Sequence, residues 1–262
     1  MFMEKIKAIF IDYDWTLFDH KTHQIPSSTI ASLKEAKNKG IKLFINSARS
    51  YYSLEQLNCF NLIDFDGFIT QNGGTCFFKD STIYNHSFNK TSINKILKYV
   101  QEKKISYQLI TQKSSYIHVY DKKFVDEFYN TFYEPYPLNI DQYQDEEILS
   151  IHLFIDDSID NEINELCKDL FVLRFSCSCL EITPFRFSKK DGIEALIKYF
   201  NYDKNELMTF GDEVNDISMF NAVKYGICMG NGDLEAKEKA YFVTTNIEDD
   251  GIQYALKYFN VI

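Results

Sequence analysis

The chain has 262 residues, enough for one large domain or two modest ones, and 45% of them are apolar, enough for a sizeable core. Its net charge of −10 argues against a nucleic-acid backbone or an anionic membrane as the main partner, so an anionic substrate would have to be drawn in locally, by a metal or a lysine. No apolar run approaches the ~20 residues that span a bilayer. The amino terminus shows no secretion signal. The six cysteines form no Cys-x-x-Cys pair, which argues against zinc. They fit reduced, half-buried residues of a cytoplasmic protein.

In chain order, the run from Ile6 to Ile11 predicts a buried strand, followed by a helix over 27–39 with Ser27 as N-cap and Gly40 as stop. A strand at 41–46, a helix over 50–60 and a strand at 67–71 continue a βαβαβ order. That order implies a mostly parallel sheet with helices on both faces. The texture then changes. Residues 91–103, 122–132 and 158–169 read as helices among strands near 107–111, 115–120, 148–155, 171–175 and 179–182, an α+β insert. Alternation returns with helices over 191–200, 215–223, 233–239 and 249–259 and strands at 207–210, 225–229 and 241–244. The expected fold class is α/β, a Rossmann-like core from residues 1–81 and 186–262, with 82–185 as an inserted α+β domain.

The polar residues with chemical potential follow the expected strands. Asp12 and Asp14 end the first, two residues apart, where unpartnered buried charge would be costly. An oxygen-ligated divalent cation such as Mg²⁺ is the usual partner for such a pair. Asn46-Ser47-Ala48-Arg49 follows the second strand, Gln71-Asn72-Gly73-Gly74 the third, and Gly211-Asp212-Glu213-Val214-Asn215-Asp216 the strand at 207–210. In a parallel sheet those ends share one edge, where α/β proteins place ligands. Each piece has a blander reading alone. Ser47, Asp212 and Asp216 could cap helices, Asn72-Gly73-Gly74 could be a hairpin turn, Arg49 could only pair with an acid, and Lys189, beside Lys190, could be a solvated charge.

Taken in order, Asp12-x-Asp14-x-Thr16, Ser47, Lys189 and Gly211-Asp212-x-x-Asn215-Asp216 resemble the four motifs of the haloacid dehalogenase (HAD) superfamily phosphatases. The match is to the Cof-type branch, with a large cap between the second and third motifs. Glu181-Ile182-Thr183-Pro184, Met229-Gly230-Asn231 and Asp250-Gly251 support it. The resemblance implies Asp12 as nucleophile, forming an aspartyl-phosphate, and Asp14 as general acid and then base. It implies Mg²⁺ held by Asp12, Asp14 (through its backbone carbonyl) and Asp212, with Asn215 and Asp216 acting through metal-bound water or by orienting Lys189. Ser47 and Lys189 would serve the phosphoryl group, with backbone N–H groups near Tyr13 and Ala48; Asn72 and Gly73 are counted among the substrate-binding residues. One departure stands out: Trp15 occupies a position that is usually glycine in this branch, which bears on the shape of the substrate pocket.

These residues describe a Mg²⁺-dependent phosphomonoesterase of small soluble phosphates (sugar phosphates, nucleotides or a cofactor phosphate), monomeric or weakly self-associating, with a cap expected to close over the site. A phosphomutase or phosphotransferase would carry the same motifs. A non-enzymatic binding or regulatory module would be expected to have lost Asp12, Asp14 or Lys189, and all three are present.

Overall fold

A computed structural model describes residues 5–57 and 61–262. The first four residues, the last three of the expected helix over 50–60, and Cys59 among them, lie outside the described residues. Strand β1 (Ala8–Ile11) leads to α1 (Ser27–Asn38), β2 (Lys42–Asn46), α2 (Tyr51–Gln56), β3 (Gly67–Thr70), β4 (Thr75–Phe78) and β5 (Ser81–Asn85). Next come α3 (Lys90–Lys103), β6 (Ser106–Ile110), β7 (Ser115–His118), α4 (Lys123–Phe132), β8 (Leu138–Asn139), β9 (Ser150–Phe154), α5 (Asp160–Leu166), β10 (Phe171–Ser176) and β11 (Cys179–Thr183). The chain ends with α6 (Lys189–Phe200), β12 (Leu207–Gly211), α7 (Ile217–Phe220), β13 (Tyr225–Cys228), α8 (Leu234–Lys239), β14 (Phe242–Val243) and α9 (Gly251–Tyr258).

Two compact units result. Among the described residues, the first takes 5–49, 61–84 and 187–262, and the second takes 50–57 and 85–186. Relative to the expected division at 82–185, Arg186 joins the second unit and two longer segments change sides. Residues 82–84 stay with the first unit because β5 is the edge strand of its sheet. Helix α2 goes with the second unit, where the Tyr52 hydroxyl donates to the Tyr136 carbonyl at 3.1 Å.

The first unit is an eight-stranded sheet in the order β14-β13-β12-β1-β2-β3-β4-β5. All strands from β14 to β3 run parallel, and β4 turns back antiparallel on β3. Strand β1 is apolar without interruption and fully buried, as expected for a central strand covered on both faces. From β1 the chain winds outward through β2 to β3, then returns on the other side of β1 with β12. The order therefore reverses between β1 and β12, the switch point where open α/β sheets form a crevice beyond the strand ends. Register sets what meets there: Ile11 pairs with Ile45 and with Phe210, so the residues after these three strands come out level.

Three local differences from the sequence reading have physical causes. Ser27 is the first residue of α1 rather than its cap, because Pro26, with φ −54°, already sets the entry. The helix expected over 215–223 shrinks to a 3₁₀ turn at Val214–Asp216 and the short α7, since Asp216 is drawn into the site. The hairpin partners β4 and β5 were not expected; they are short, and Asn72-Gly73-Gly74 is the turn that reverses β3 into β4.

The second unit is a six-stranded sheet in the order β10-β11-β9-β6-β7-β8, antiparallel except for β7 with β8. Ile96 and Val100 of α3 and Ile163 of α5 pack in one core with Leu109, Leu153 and Leu180; Val125 and Phe128 of α4 pack in another with Ile117 and Phe154. No helix among the described residues is long and apolar enough to cross a membrane.

Leu196 of α6 is fully buried in the first unit's core, while Leu173 on β10 is 40% exposed. Leu196→Ala should cost about 2–5 kcal/mol through lost burial and the cavity left behind. Leu173→Ala should stay within about 0.5 kcal/mol. Chemical denaturation midpoints of the two variants against wild type check the contrast.

Candidate active site

Four chain segments meet beyond the ends of β1, β2 and β12. Asp12 follows β1, and its N–H donates to the Phe210 carbonyl at 2.9 Å, which continues the ladder to the last residue before the site. Asp212 follows β12 and accepts from the Thr16 hydroxyl at 2.7 Å. Thr16 thus ties the turn after β1 to the loop after β12, a role its place in the motif did not announce. Asp216 accepts at Oδ2 from the backbone N–H groups of Asp212 (2.7 Å) and Glu213 (2.9 Å), folding the loop on itself. A Cβ on Gly211 would run into the Asp216 carboxylate, so glycine is needed for that fold.

Lys189 enters from α6. Ser188 precedes the helix, and its N–H donates to the Asp191 carboxylate at 2.8 Å, a capping arrangement that makes Lys189 the first helical residue. Its Nζ donates at 2.6 Å both to Asp12 Oδ1 and to Asp216 Oδ1. Lys190 is exposed. The close approach of this helix start depends on Gly73, with φ +97°, because a side chain there would overlap the Ser188 carbonyl. The Asn72 N–H donates to the Ser47 carbonyl at 3.1 Å, so the hairpin turn also braces the loop after β2. Buried Asn72 Oδ1 has no hydrogen-bond partner among the described residues. Ser47 is buried, and its hydroxyl accepts from the Arg49 N–H at 3.1 Å; the cap of α2 is Ser50, not Ser47. Ala48 is half-buried between them.

Electrostatically the site is overloaded with negative charge. Asp12, Asp212 and Asp216 are buried, and one carboxylate oxygen from each lies within 4.8 Å of the other two. Burial pushes the Asp12 carboxyl well above its usual range; Lys189 opposes this, and Asp216 and Asp212 add to it. Burial likewise raises Asp212 to about 7, against the Thr16 hydrogen bond and with Asp216 contributing. Burial works against the Lys189 charge, but Asp12 and Asp216 outweigh it and hold the ammonium more tightly than usual. One cation among three carboxylates leaves a deficit that a divalent ion with oxygen ligands fits.

Asp14 has a different environment. Its Oδ1 accepts from Arg49 and, at 2.6 Å, lies on His20 Nε2, while Oδ2 accepts from Arg49 Nε at 2.8 Å. Burial would raise its carboxyl, yet the hydrogen bonds from His20 and Arg49, with the Arg49 charge, hold it down to about 2. Arg49 thus pairs with an acid, and the acid is Asp14. The Tyr13 side chain is fully buried and stacks on Phe18 with centroids 5.3 Å apart, so what it can offer a ligand is backbone. Asn215 is exposed, with its carbonyl accepting from Ser218. Trp15 is half-buried with φ +56°, the left-handed region that favours glycine. His20 carried no signal in the sequence: six residues from Asp14, outside every motif, it reaches the carboxylate only because the intervening turn doubles back.

Residues 9–256 match the haloacid dehalogenase-like hydrolase family, to which the chain belongs. It is an enzyme of the phosphatase class. It is 30% identical to the putative phosphatase YkrA of Bacillus subtilis (strain 168), over 96% of each chain. The 5-amino-6-(5-phospho-D-ribitylamino)uracil phosphatase YcsE of the same organism is 27% identical over 97% of this chain and 96% of its own. A solved HAD subclass IIB sugar phosphatase superposes with a TM-score of 0.76 at 30% identity, covering 98% of this chain and 100% of that one.

The opposite shifts of Asp212 and Asp14 predict opposite pH dependences of stability. Asp212, raised to about 7 from the usual 3.8, favours the folded state while protonated, and that contribution is lost as pH rises from about 4 through 7. Asp14, lowered to about 2, contributes stability above its usual 3.8 that is lost as pH falls towards 2. Without divalent cations, Asp212→Asn should therefore raise Tm at pH 8 more than at pH 5, and Asp14→Asn should flatten the fall in Tm below pH 4. Melting curves across that range check both signs.

Proposed function

We propose that the protein is a Mg²⁺-dependent phosphomonoesterase working through an aspartyl-phosphate on Asp12. The observation that carries this is the position of Lys189 Nζ, 2.6 Å from Asp12 Oδ1 and equally close to Asp216, at the switch point of a parallel sheet. A nucleophilic carboxylate facing a phosphate dianion needs neighbouring positive charge, and catalysis of phosphoryl transfer is chiefly positioning and charge stabilisation. In this reading Asp12 Oδ2 attacks phosphorus while Lys189 holds Oδ1. Ser47 and the backbone amides near Tyr13 and Ala48 hold phosphoryl oxygens, with Asn72 and Gly73 bracing that loop. Asp14 gives a proton to the leaving oxygen and takes one from the water that hydrolyses the intermediate. Asp12, Asp212 and the Asp14 backbone carbonyl would hold Mg²⁺, with Asp216 and Asn215 acting through its water. When bound, the ion supplies charge neutralisation between carboxylate and phosphate.

The proposed substrates are small, hydroxyl-rich phosphate monoesters. Two relatives, a sugar phosphatase and a 5-amino-6-(5-phospho-D-ribitylamino)uracil phosphatase, support that class. A panel of sugar phosphates, nucleotides and cofactor phosphates, assayed for phosphate release with Mg²⁺ and with EDTA, tests the reading. Release with Mg²⁺ and none with EDTA is expected. Transfer of phosphate to an added sugar without net release would indicate a phosphotransferase instead.

Asp12→Asn should abolish turnover, to below about a hundredth of wild type, while Tm does not fall. An amide cannot form the acyl phosphate, and the substitution removes a buried charge. Lys189→Ala should lower kcat by on the order of 10²–10³, as for loss of a group aimed at the transition state. Lys190→Ala, at an exposed position, should leave kcat near wild type. Steady-state kinetics of the three variants on the best ester of the panel check this.

A further inference from the structure

The turn between Asp14 and Gln24 is more built than nucleophile chemistry requires. Phe18 and Leu17 donate their N–H groups to the Tyr13 carbonyl at 2.8 and 3.0 Å. Asp19 accepts from Lys21 N at 2.9 Å and from the Thr22 hydroxyl at 2.8 Å, closing the next bend. The result places the His20 ring between Trp15, 5.1 Å away by centroid, and Phe18, which meets it edge-on at 5.0 Å. The Trp15 backbone is itself pinned: its carbonyl accepts from Asn231 Nδ2 at 2.9 Å, and Asn231 Oδ1 accepts from Ile247 N–H at 2.8 Å. The His20 side chain is only 12% exposed, and its Nε2 lies on Asp14 Oδ1.

We infer that His20 is a positioning residue for Asp14, which with Arg49 saturates Oδ1 and leaves Oδ2 as the oxygen that works on protons. Three contacts converge on Oδ1, from His20 Nε2 at 2.6 Å, Arg49 Nη2 at 2.8 Å and Arg49 Nε at 3.1 Å. Among the described residues, Oδ2 accepts only from Arg49 Nε, at 2.8 Å, and shares its one hydrogen with Oδ1. A carboxylate oxygen with a lone pair left over is a proton acceptor, so the arrangement serves the second half-reaction. There the water oxygen bonds to phosphorus, and the bond from phosphorus to Asp12 oxygen breaks with its electron pair returning to the carboxylate. The water proton passes to Asp14 Oδ2. The inference rests on the aspartyl-phosphate reading above, and it adds a residue on which that reading does not depend.

His20→Phe keeps the ring between Trp15 and Phe18 and removes the hydrogen bond. A misplacement of about 1 Å in a reacting group can cost on the order of 10²-fold in rate, so with Asp14 released from His20, hydrolysis of the intermediate should slow by on the order of 10- to 100-fold. With p-nitrophenyl phosphate, whose leaving group needs little protonation, kcat and KM should fall together. The ratio kcat/KM, which reports only steps up to phosphoenzyme formation, should stay near wild type, and a burst of nitrophenol with more acid-stable phosphoenzyme should appear. His20→Gln, which keeps a donor near Nε2, should recover part of kcat and serves as the second variant should the first fail to fold. A kcat like wild type in His20→Phe, or kcat/KM falling in step with kcat, overturns the inference while leaving the phosphatase reading intact. No phosphate release from any ester by the wild type overturns both.

Discussion

The structure of this site depends on one buried ammonium shared by two carboxylates. Lys189 bridges Asp12 and Asp216, and each belongs to a different part of the chain. Asp12 ends the central strand, Asp216 closes the loop after its neighbour β12, and Lys189 opens the helix that follows the inserted unit. Removing the ammonium would cost several kcal/mol, because it leaves buried carboxylates uncompensated, whereas removing one of the acids still leaves Lys189 a partner. The bridge therefore sets conditions elsewhere. It requires the level register of β1 with β12, the capped start of α6, and glycine at 73 and 211, where any side chain would displace the groups that carry the charges.

Much of this was legible in the sequence, for identifiable reasons. A fully buried strand is a continuous apolar run, so Ile6 to Ile11 announced both β1 and the carboxylates at its end. Parallel alternation announced the shared edge. The residues left obscure are those whose partners come from turns. The apolar–polar pattern carries no information about the doubling back that brings His20 to Asp14, and a lone Arg49 does not declare which acid it meets. The antiparallel β4 and β5 are obscure in the sequence because strands of four and five residues, joined at Lys79-Asp80, leave too short a period to read. Helix α2 sits with the second unit through a contact of Tyr52 with a residue 84 positions away, which no local pattern encodes.

Trp15 is where sequence and structure explain each other. The turn after β1 needs a left-handed residue, and glycine takes that conformation freely, whereas an L side chain pays roughly 1–2 kcal/mol for it. A tryptophan held there implies compensation, and the structure supplies it in two forms: the Asn231 bond to its carbonyl and the aromatic contact with His20. The sequence tied this side chain only to the shape of the substrate pocket. Its half-buried position and its contact with the ring that bonds Asp14 make it one wall of the support for that carboxylate.

Asp12 and Asp14 are two residues apart, yet their surroundings drive them in opposite directions. Asp12 is pushed up by burial and by the acids around it; Asp14 is held down by His20 and Arg49. Paired carboxylates with divergent environments are how one site divides labour between two identical groups. On the proposed reading, the direction of the divergence is informative. A cation beside Asp12 would reverse its shift and release it as a nucleophile, whereas Asp14 is already held as a carboxylate by the protein's own side chains. The nucleophile thus depends on what binds, and the proton acceptor is built in advance. That asymmetry follows from placement: Asp12 continues the strand into the acid cluster, and Asp14, two residues on, has turned out of it towards the guanidinium of Arg49.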